Sequence, residues 1–266
     1  MKVGDDGVPV LPMRTRAAMF VRLLAVQGSW NYESLLGTWI GFCTEPALRG
    51  IDGGVEGKPY REALARESRY FNAHPYLAAI AVGALARAEL DGSPPAQIER
   101  FRTALCGPLG SVGDRLVWAG WLPLSSLIAL TAFAFGAGPL ATVLVFLIVY
   151  NVGHLGLRAW GLRTGWRHGL RVAVALGNPM LRRGPQYVSR GVALLAGVAV
   201  PLAVRRVFGL FIPGASLSAN GFLLADTLLA AALAAVVLVR LHGRLEGWRF
   251  ALVALALLTA YAVVTR

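Results

Sequence analysis

The chain has 266 residues, of which 56% are hydrophobic and only 15% are charged, and its formal net charge is +12. Soluble domains usually contain about 25% charged residues, and a chain this short has too little interior to hide so much apolar surface, so the composition argues against an ordinary soluble protein and for one partly solvated by lipid. The excess positive charge lies in residues 115–266, as arginines in short gaps between apolar runs, a pattern that favours anionic lipid headgroups over nucleic acid as the partner.

The N-terminal part of the chain begins with a predicted flexible leader, residues 1–12. A basic amphipathic stretch follows over Arg14–Val26. Apolar side chains then recur at helical spacing, which predicts a helix with one apolar face over Trp30–Cys43. Four glycines in residues 50–58 predict a loop after it.

The next segments alternate between charged and apolar helices. A surface helix is predicted from Pro59 to Phe71, because proline suits a first helical turn and the charged residues share a face. A short apolar helix is predicted over Tyr76–Leu90. The Ser93–Pro94 pair predicts the start of another helix, and Gly107 is expected to end it.

The remainder of the chain has the composition of membrane helices. Residues 116–157 contain no Asp, Glu, Lys or Arg, which allows two membrane-depth helices broken around Gly136–Pro139. An Arg-rich amphipathic segment follows from Arg158. Three further apolar runs are Gly191–Val204, Phe222–Val239 and Phe250–Thr265.

Gly and Pro interrupt these apolar segments, as they do in broken and re-entrant helices, which are tolerated at membrane depth only when they line a cavity or are buried in protein. We therefore predict an all-α, polytopic membrane protein with short, broken or re-entrant helices and amphipathic interfacial helices. Its predicted divisions are the leader (1–12), a core (13–157), and an Arg-rich segment with C-terminal membrane helices (158–266).

Three segments combine polar side chains with apolar surroundings where a helix is predicted to begin or break. They are QGSWNYE (27–33), YFNAHP (70–75) and GPLGSVGD (107–114). One interpretation is structural, because such residues cap helices. In it, the capping residues are Ser29 or Asn31, Asn72 or His74, and Asp114.

The functional interpretation is that the three segments converge on a sugar. Carboxylate and amide groups accept hydrogen bonds from hydroxyls, and an aromatic face packs on the apolar side of a sugar ring. Glu33, Asn72, His74 and Asp114 supply the polar set, and Trp30 supplies the aromatic face. Carboxylates are costly at membrane depth, which favours a role in a substrate path.

Other candidates carry less chemistry. Asn151 and His154 are expected to hydrogen-bond to a neighbouring helix, and the arginines from 158 to 206 are expected to form a solvated or lipid-facing belt. No hydrolase, nucleotide-binding or zinc motif occurs, and the two cysteines form no CxxC pair. We predict no catalytic residue, metal or cofactor.

Together the three segments resemble the IID membrane component of the mannose/fructose/sorbose family of the bacterial phosphotransferase system. Further matching stretches are Arg14–Phe20, GF at 41–42, PAL at 46–48 and Trp118. The match weakens around Asn151, and beyond residue 175 it consists of the apolar profile alone.

The resemblance implies a subunit of a sugar importer in the bacterial inner membrane. In this family IID pairs with a IIC membrane subunit to form the path of a hexose-type sugar, and soluble IIA and IIB partners carry the phosphate on histidine. IID itself is not phosphorylated. Carried over by residue, the implied sugar contacts are Glu33, Asn72 and Asp114, with His74 and Gln27 as further contacts.

The sequence also departs from the family pattern. Ala73 stands where the family commonly has Thr, Cys106–Gly110 replaces a Met-Gly-Pro-Leu-Ala run, and the Gly-rich segment expected around Gly177–Gln186 is not evident. These departures leave open a divergent IID-like protein with a regulatory or scaffold role and no transport. A separate alternative is a membrane enzyme that uses Glu33, His74 and Asp114, whose residue types suit acid–base chemistry.

Overall fold

The computed structural model describes residues 9–172 and 177–211. Across these ranges the chain is mainly helical, and isolated β-bridges join Asn31 to Leu35 and Leu35 to Phe71. The helices are α1 (Met13–Leu24), α2 (Gly37–Leu48), α3 (Lys58–Glu67), α4 (Ala78–Leu90), α5 (Pro95–Gly113), α6 (Leu122–Ala134), α7 (Pro139–His168) and α8 (Pro179–Phe211). The predicted apolar runs at 222–239 and 250–265 lie outside the described residues, as do residues 1–8 of the leader.

Helix α4 is the centre of the core. It is apolar on all sides, and almost all of its residues are buried, as expected of a helix surrounded by others. Its main neighbour is α7, and glycines bring the two backbones together. A Cβ on Gly83 would lie 2.3 Å from the Leu162 carbonyl oxygen, and one on Gly165 would lie 2.0 Å from that of Ile80.

Helix α5 does not end at Gly107, so that prediction is wrong. The helix continues through Pro108 to Gly113, passes through a π-helical segment at Asp114–Trp121, and runs on as α6. Pro108 cannot donate to the carbonyl four residues earlier, but that residue, Ala104, is exposed to solvent. The missing hydrogen bond therefore costs little there.

The predicted break in the charge-free run is confirmed. Helix α6 ends at Ala134, Gly136 has a φ of 111°, and Pro139 opens α7. Two helices of the described residues, Pro95–Ala134 and Pro139–Arg171, are long and apolar enough to cross a bilayer. Helix α7 runs without interruption through residues 157 and 158, so the Arg-rich segment begins inside a helix.

The boundaries of α2 and α3 also differ from the prediction. Helix α2 begins at Gly37 rather than Trp30, because Asn31 Oδ1 accepts the N–H groups of Glu33 (2.9 Å) and Ser34 (2.8 Å) and holds a turn there. Helix α3 ends at Glu67 rather than Phe71. Residues 191–204 belong to the 33-residue helix α8.

Candidate functional site

Backbone hydrogen bonds join the three polar segments. The Phe71 N–H donates to the Ser34 carbonyl (3.2 Å), and the Leu36 N–H donates to the Phe71 carbonyl (2.9 Å). The His74 N–H donates to the Leu109 carbonyl at 3.4 Å. Segments far apart in sequence are therefore held side by side against the helix Pro95–Ala134, which is a candidate membrane span.

A cavity of about 460 Å³ lies where the segments meet, within the usual range for small-molecule sites. Five of the six predicted site residues line it. The full lining is Gln27, Trp30, Leu36, Tyr70, Asn72, Ala73, His74, Pro75, Cys106, Gly107, Gly110, Ser111, Asp114 and Trp118.

Glu33 is the predicted site residue that does not line the cavity. It lies in the turn held by Asn31, and its side chain is exposed to solvent. The fold thus places Glu33 on the same loop as Gln27 and Trp30 but outside the group that meets in the cavity.

His74 supplies a buried hydrogen-bond donor to the cavity lining. Its Nδ1 accepts the Tyr76 N–H at 3.2 Å, which places the ring proton on Nε2. No group of the described residues pairs with Nε2. Burial, reinforced by the positive charge of Arg158, lowers the pKa of His74 to about 4, so the ring is neutral at physiological pH. An unpaired buried donor costs free energy, which an acceptor oxygen of a ligand would recover.

Aromatic side chains lie on more than one side of the cavity. Trp30, in the first segment, is 47% exposed and contacts Tyr32 edge to face, with ring centroids 4.8 Å apart. Trp118, on the π-helical segment, is 42% exposed, and its ring centroid lies 4.9 Å from that of His74. Tyr70 and Trp118 were missed as site residues, although both lie in or beside the motif segments.

The capping interpretation is wrong for most of the residues concerned. The N-cap residues of α2 and α4 are Leu36 and Leu77, and neither makes a side-chain cap hydrogen bond. Asp114 lies inside the continuous helix that joins α5 to α6. Two of the proposed residues instead accept backbone N–H groups in the turns before helices, Asn31 before α2 and His74 before α4.

Arg158 is buried, not part of a lipid-facing belt. It is 3% exposed, donates to the Leu23 carbonyl and, at 3.5 Å, to the Pro75 carbonyl, and lies 4.6 Å from the centre of the Tyr76 ring. It therefore fixes the turn that carries His74. The carbonyl oxygens that accept from this guanidinium belong to elements far apart in the sequence, so a sequence pattern cannot predict that the arginine is buried.

Within residues 9–172 and 177–211, Asn151 and His154 do not form the predicted hydrogen bonds to a neighbouring helix. Asn151 Nδ2 donates to the Leu147 carbonyl at 2.6 Å, and its Oδ1 lies 3.0 Å from His154 Nε2. Both contacts lie within α7, because residues three and four apart share a helix face.

The fold and cavity together define a helical membrane protein with a polar cavity beside a candidate span, an arrangement also found in the membrane subunits of transporters. Residues 10–200 match the family model described as the PTS system mannose/fructose/sorbose family IID component. The chain belongs to that family, which confirms the resemblance seen in the motifs.

Several relatives are similar to this chain over most of its length. It is 27% identical over 206 residues to the PTS system mannose-specific EIID component of Escherichia coli K12, covering 71% of this chain and 70% of the relative. It is 28% identical over 206 residues to the fructose permease IID component of Bacillus subtilis 168, covering 76% and 67%. A sorbose-specific EIID component of Klebsiella pneumoniae is 30% identical over 177 residues, covering 62% and 61%.

Two solved structures share the fold. One is a chain of the mannose transporter ManYZ in complex with microcin E492, determined by cryo-electron microscopy, with a TM-score of 0.55, 21% identity, and coverage of 96% of this chain and 97% of that one. The other, described as a membrane protein, has a TM-score of 0.63, 22% identity, and coverage of 96% and 98%. The all-α membrane fold is confirmed, and the family supports a transport subunit rather than a scaffold without transport.

Proposed function

We propose that this IID subunit sits in the bacterial inner membrane, crosses it several times, and forms the path of a hexose-type sugar together with a IIC membrane subunit. Relatives named for mannose, fructose and sorbose support a sugar of this size. Soluble IIA and IIB partners deliver the phosphate, so no phosphoryl group is carried on this chain. The C-terminal part, residues 158–266, contributes further membrane helices to the assembly.

The sugar binds in the cavity formed by the three motif segments. Asp114 and Asn72 hydrogen-bond to neighbouring hydroxyls, Gln27 adds an amide, and His74 Nε2–H donates to a hydroxyl oxygen. Trp30 and Trp118 pack against the apolar faces of the ring. The observation that carries this proposal is the convergence of these side chains, from segments more than 30 residues apart, on one cavity. The lining includes His74, whose buried Nε2 has no hydrogen-bond partner among the described residues.

Sugar uptake by cells that depend on this subunit tests the proposal. Asp114→Asn keeps the size of the side chain but removes its charge, and we expect uptake to fall at least about tenfold, since hydrogen bonds to charged groups contribute about 1.5–3 kcal/mol. Asp52→Asn is the matched control, because Asp52 is exposed in the Gly-rich loop and remote from the lining. Normal uptake by Asp114→Asn, at equal membrane abundance, would contradict the site.

Glu33 is the remaining proposed sugar contact, and it needs a separate test because it lies outside the cavity lining. If Glu33→Gln abolishes uptake as Asp114→Asn does, the site extends along the first loop beyond the cavity. If Glu33→Gln transports normally, the sugar is held by the cavity residues alone.

A further inference from the structure

A second cavity lies on an adjacent face of the helix that carries Asp114. Its volume is about 890 Å³, and it is formed by the end of α5, the π-helical segment and the first turns of α8. Ser111, Asp114 and Trp118 face the sugar cavity, whereas their neighbours Val112, Arg115 and Ala119 face the second one. The other lining residues are Leu181, Arg182, Pro185, Gln186, Ser189 and Arg190.

The charged residues that line this cavity are all basic within the part of the chain that the structure describes. They are Arg115, Arg182 and Arg190. None of the three forms an ion pair within residues 9–172 and 177–211. The surrounding sequence also lacks acidic partners for these arginines, because residues 115–225 contain no Asp or Glu. The cavity therefore suits an anion, and guanidinium groups match phosphate oxygens in geometry as well as charge.

Helix packing places the cavity at one end of an apolar stretch about as long as a bilayer core is thick. Helices α6 and α8 run in the same direction, since Gly120 contacts Val188 near one end and Arg206 donates to the Ala137 carbonyl (2.9 Å) near the other. The stretch from Arg115 to Phe135 is helical and spans roughly 30 Å at 1.5 Å per residue, the thickness of the hydrocarbon core. Arginines thus lie at both borders of one apolar layer.

We propose that this cavity is a binding site for the phosphodiester headgroup of an anionic phospholipid. The three arginines hold the phosphate oxygens, and Gln186 and Ser189 are polar partners for the rest of the headgroup. Apolar side chains complete the lining, including Val112, Leu181 and Pro185, and they give the acyl chains a path toward the apolar layer. A free phosphate ion would use the arginines but not this apolar part.

The test uses the full chain, extracted with its membrane partner in a neutral detergent and freed of native lipid. Binding of dioleoyl phosphatidylglycerol, dioleoyl phosphatidylcholine and inorganic phosphate is measured by native mass spectrometry and lipid titration. We expect phosphatidylglycerol to bind at least about tenfold more tightly than phosphatidylcholine. Each basic residue near a membrane surface contributes about fivefold, so the Arg182→Gln, Arg190→Gln double variant should lose about 25-fold in phosphatidylglycerol affinity.

Arg183 provides the matched control. It is exposed next to Arg182 but is not part of the cavity lining, so Arg183→Gln should change the affinity by less than about twofold. If the double glutamine variant does not fold, the double Arg→Lys variant replaces it; it keeps the charge, and we expect a smaller loss because lysine cannot form bidentate contacts.

Three results would overturn the proposal. One is equal binding of the two lipids, and another is an equal loss in Arg183→Gln, which would show diffuse surface charge rather than a site. The third is tight binding of inorganic phosphate without preference for phosphatidylglycerol. None of these results bears on uptake by Asp114→Asn, so the lipid site and the sugar site fail independently.

Discussion

Gly113 and His74 are in such close contact that only glycine fits at position 113. A Cβ built on Gly113 would lie 2.1 Å from the His74 Cβ and 2.5 Å from its Cγ, far inside van der Waals contact. The last residue of α5 therefore sets the position of the buried imidazole and of its Nε2–H donor in the proposed sugar site.

Gly113→Ala should displace His74 and weaken sugar binding. Glycine to alanine in a helix is ordinarily stabilising by roughly 0.5–1 kcal/mol, so a loss of stability or affinity at this position reports the contact. We expect the sugar-dependent rise in the unfolding midpoint to shrink or vanish. Gly191→Ala is the control, because a Cβ there meets only Leu124 at an ordinary 3.4 Å. Unchanged sugar binding by Gly113→Ala would refute the role assigned to His74.

Two substitutions separate the two nitrogen atoms of His74. Asparagine places an acceptor near Nδ1 and removes the donor at Nε2, so His74→Asn should keep the turn before α4 and lose sugar affinity. Glutamine reaches the Nε2 position with an N–H, so His74→Gln should retain more affinity at a cost in stability. Isothermal titration and thermal unfolding measure the two effects. The opposite ranking of affinities would show that Nε2–H does not contact the sugar.

The depressed pKa of His74 has a pH consequence. Since its folded value of about 4 lies below the ordinary value of 6.5, the folded state binds fewer protons than the unfolded state between these limits. Through this residue, stability should fall as pH drops from 6.5 toward 4, while sugar affinity stays constant from about pH 5.5 to 7.5 because the ring remains neutral. His74→Asn should remove this acid-induced loss of stability, measured as the unfolding midpoint against pH.

Glu67 is a buried carboxyl group at the end of α3. It is fully buried, lies 3.5 Å from Arg102, and has no hydrogen-bond partner for either oxygen among the described residues. Arg102 directs its guanidinium to the carbonyls of Arg66 (2.7 Å) and Arg69 (3.0 Å) instead. Burial therefore outweighs the attraction of Arg102 and raises the pKa of Glu67 from 4.5 to about 8.

Glu67→Gln should flatten the pH dependence of stability above pH 4.5. Because the folded pKa is raised, the folded protein retains a proton that the unfolded chain has lost, and stability falls as pH rises from 4.5 to about 8. Glutamine resembles the protonated form and cannot ionise, so the variant should gain stability relative to the parent at the upper end. Glu62→Gln, on an exposed side of α3, should keep the parental slope. A slope unchanged by Glu67→Gln would show that Glu67 ionises normally.

Gly165→Ala should loosen the packing of α7 on α4. The new methyl group would meet the Ile80 carbonyl oxygen at 2.0 Å, so backbones must move apart, and overpacking of this kind costs about 1–3 kcal/mol. Gly156→Ala, on the same helix, meets nothing within 4 Å and should be neutral or stabilising. Thermal unfolding in detergent compares the two, and equal stability would show that the close approach is not required.

The helical pattern in the sequence was sufficient for the elements whose surroundings are uniform. The apolar segment over Tyr76–Leu90 became the buried α4, and the Gly136–Pro139 break separated α6 from α7, because hydropathy and Gly/Pro placement act locally. The pattern failed at Trp30 and Gly107. At Trp30, the turn held by Asn31 takes the place of the predicted start of the helix. At Gly107, the helix continues, because the hydrogen bond that Pro108 cannot make lies on the solvent-exposed side.

The sequence by itself determined that this is a lipid-solvated helical protein of the IID family, because composition and short motifs can be read without knowledge of tertiary contacts. Its motifs also contained five of the residues that line one cavity. Tertiary structure alone decided that Phe71 pairs with Ser34 and Leu36, that Glu33 lies outside the cavity, and that Arg158 is buried against carbonyl oxygens from two distant segments. Each of these depends on which remote segments share a hydrogen bond or exclude water, and that is fixed by packing rather than by the order of residues along the chain.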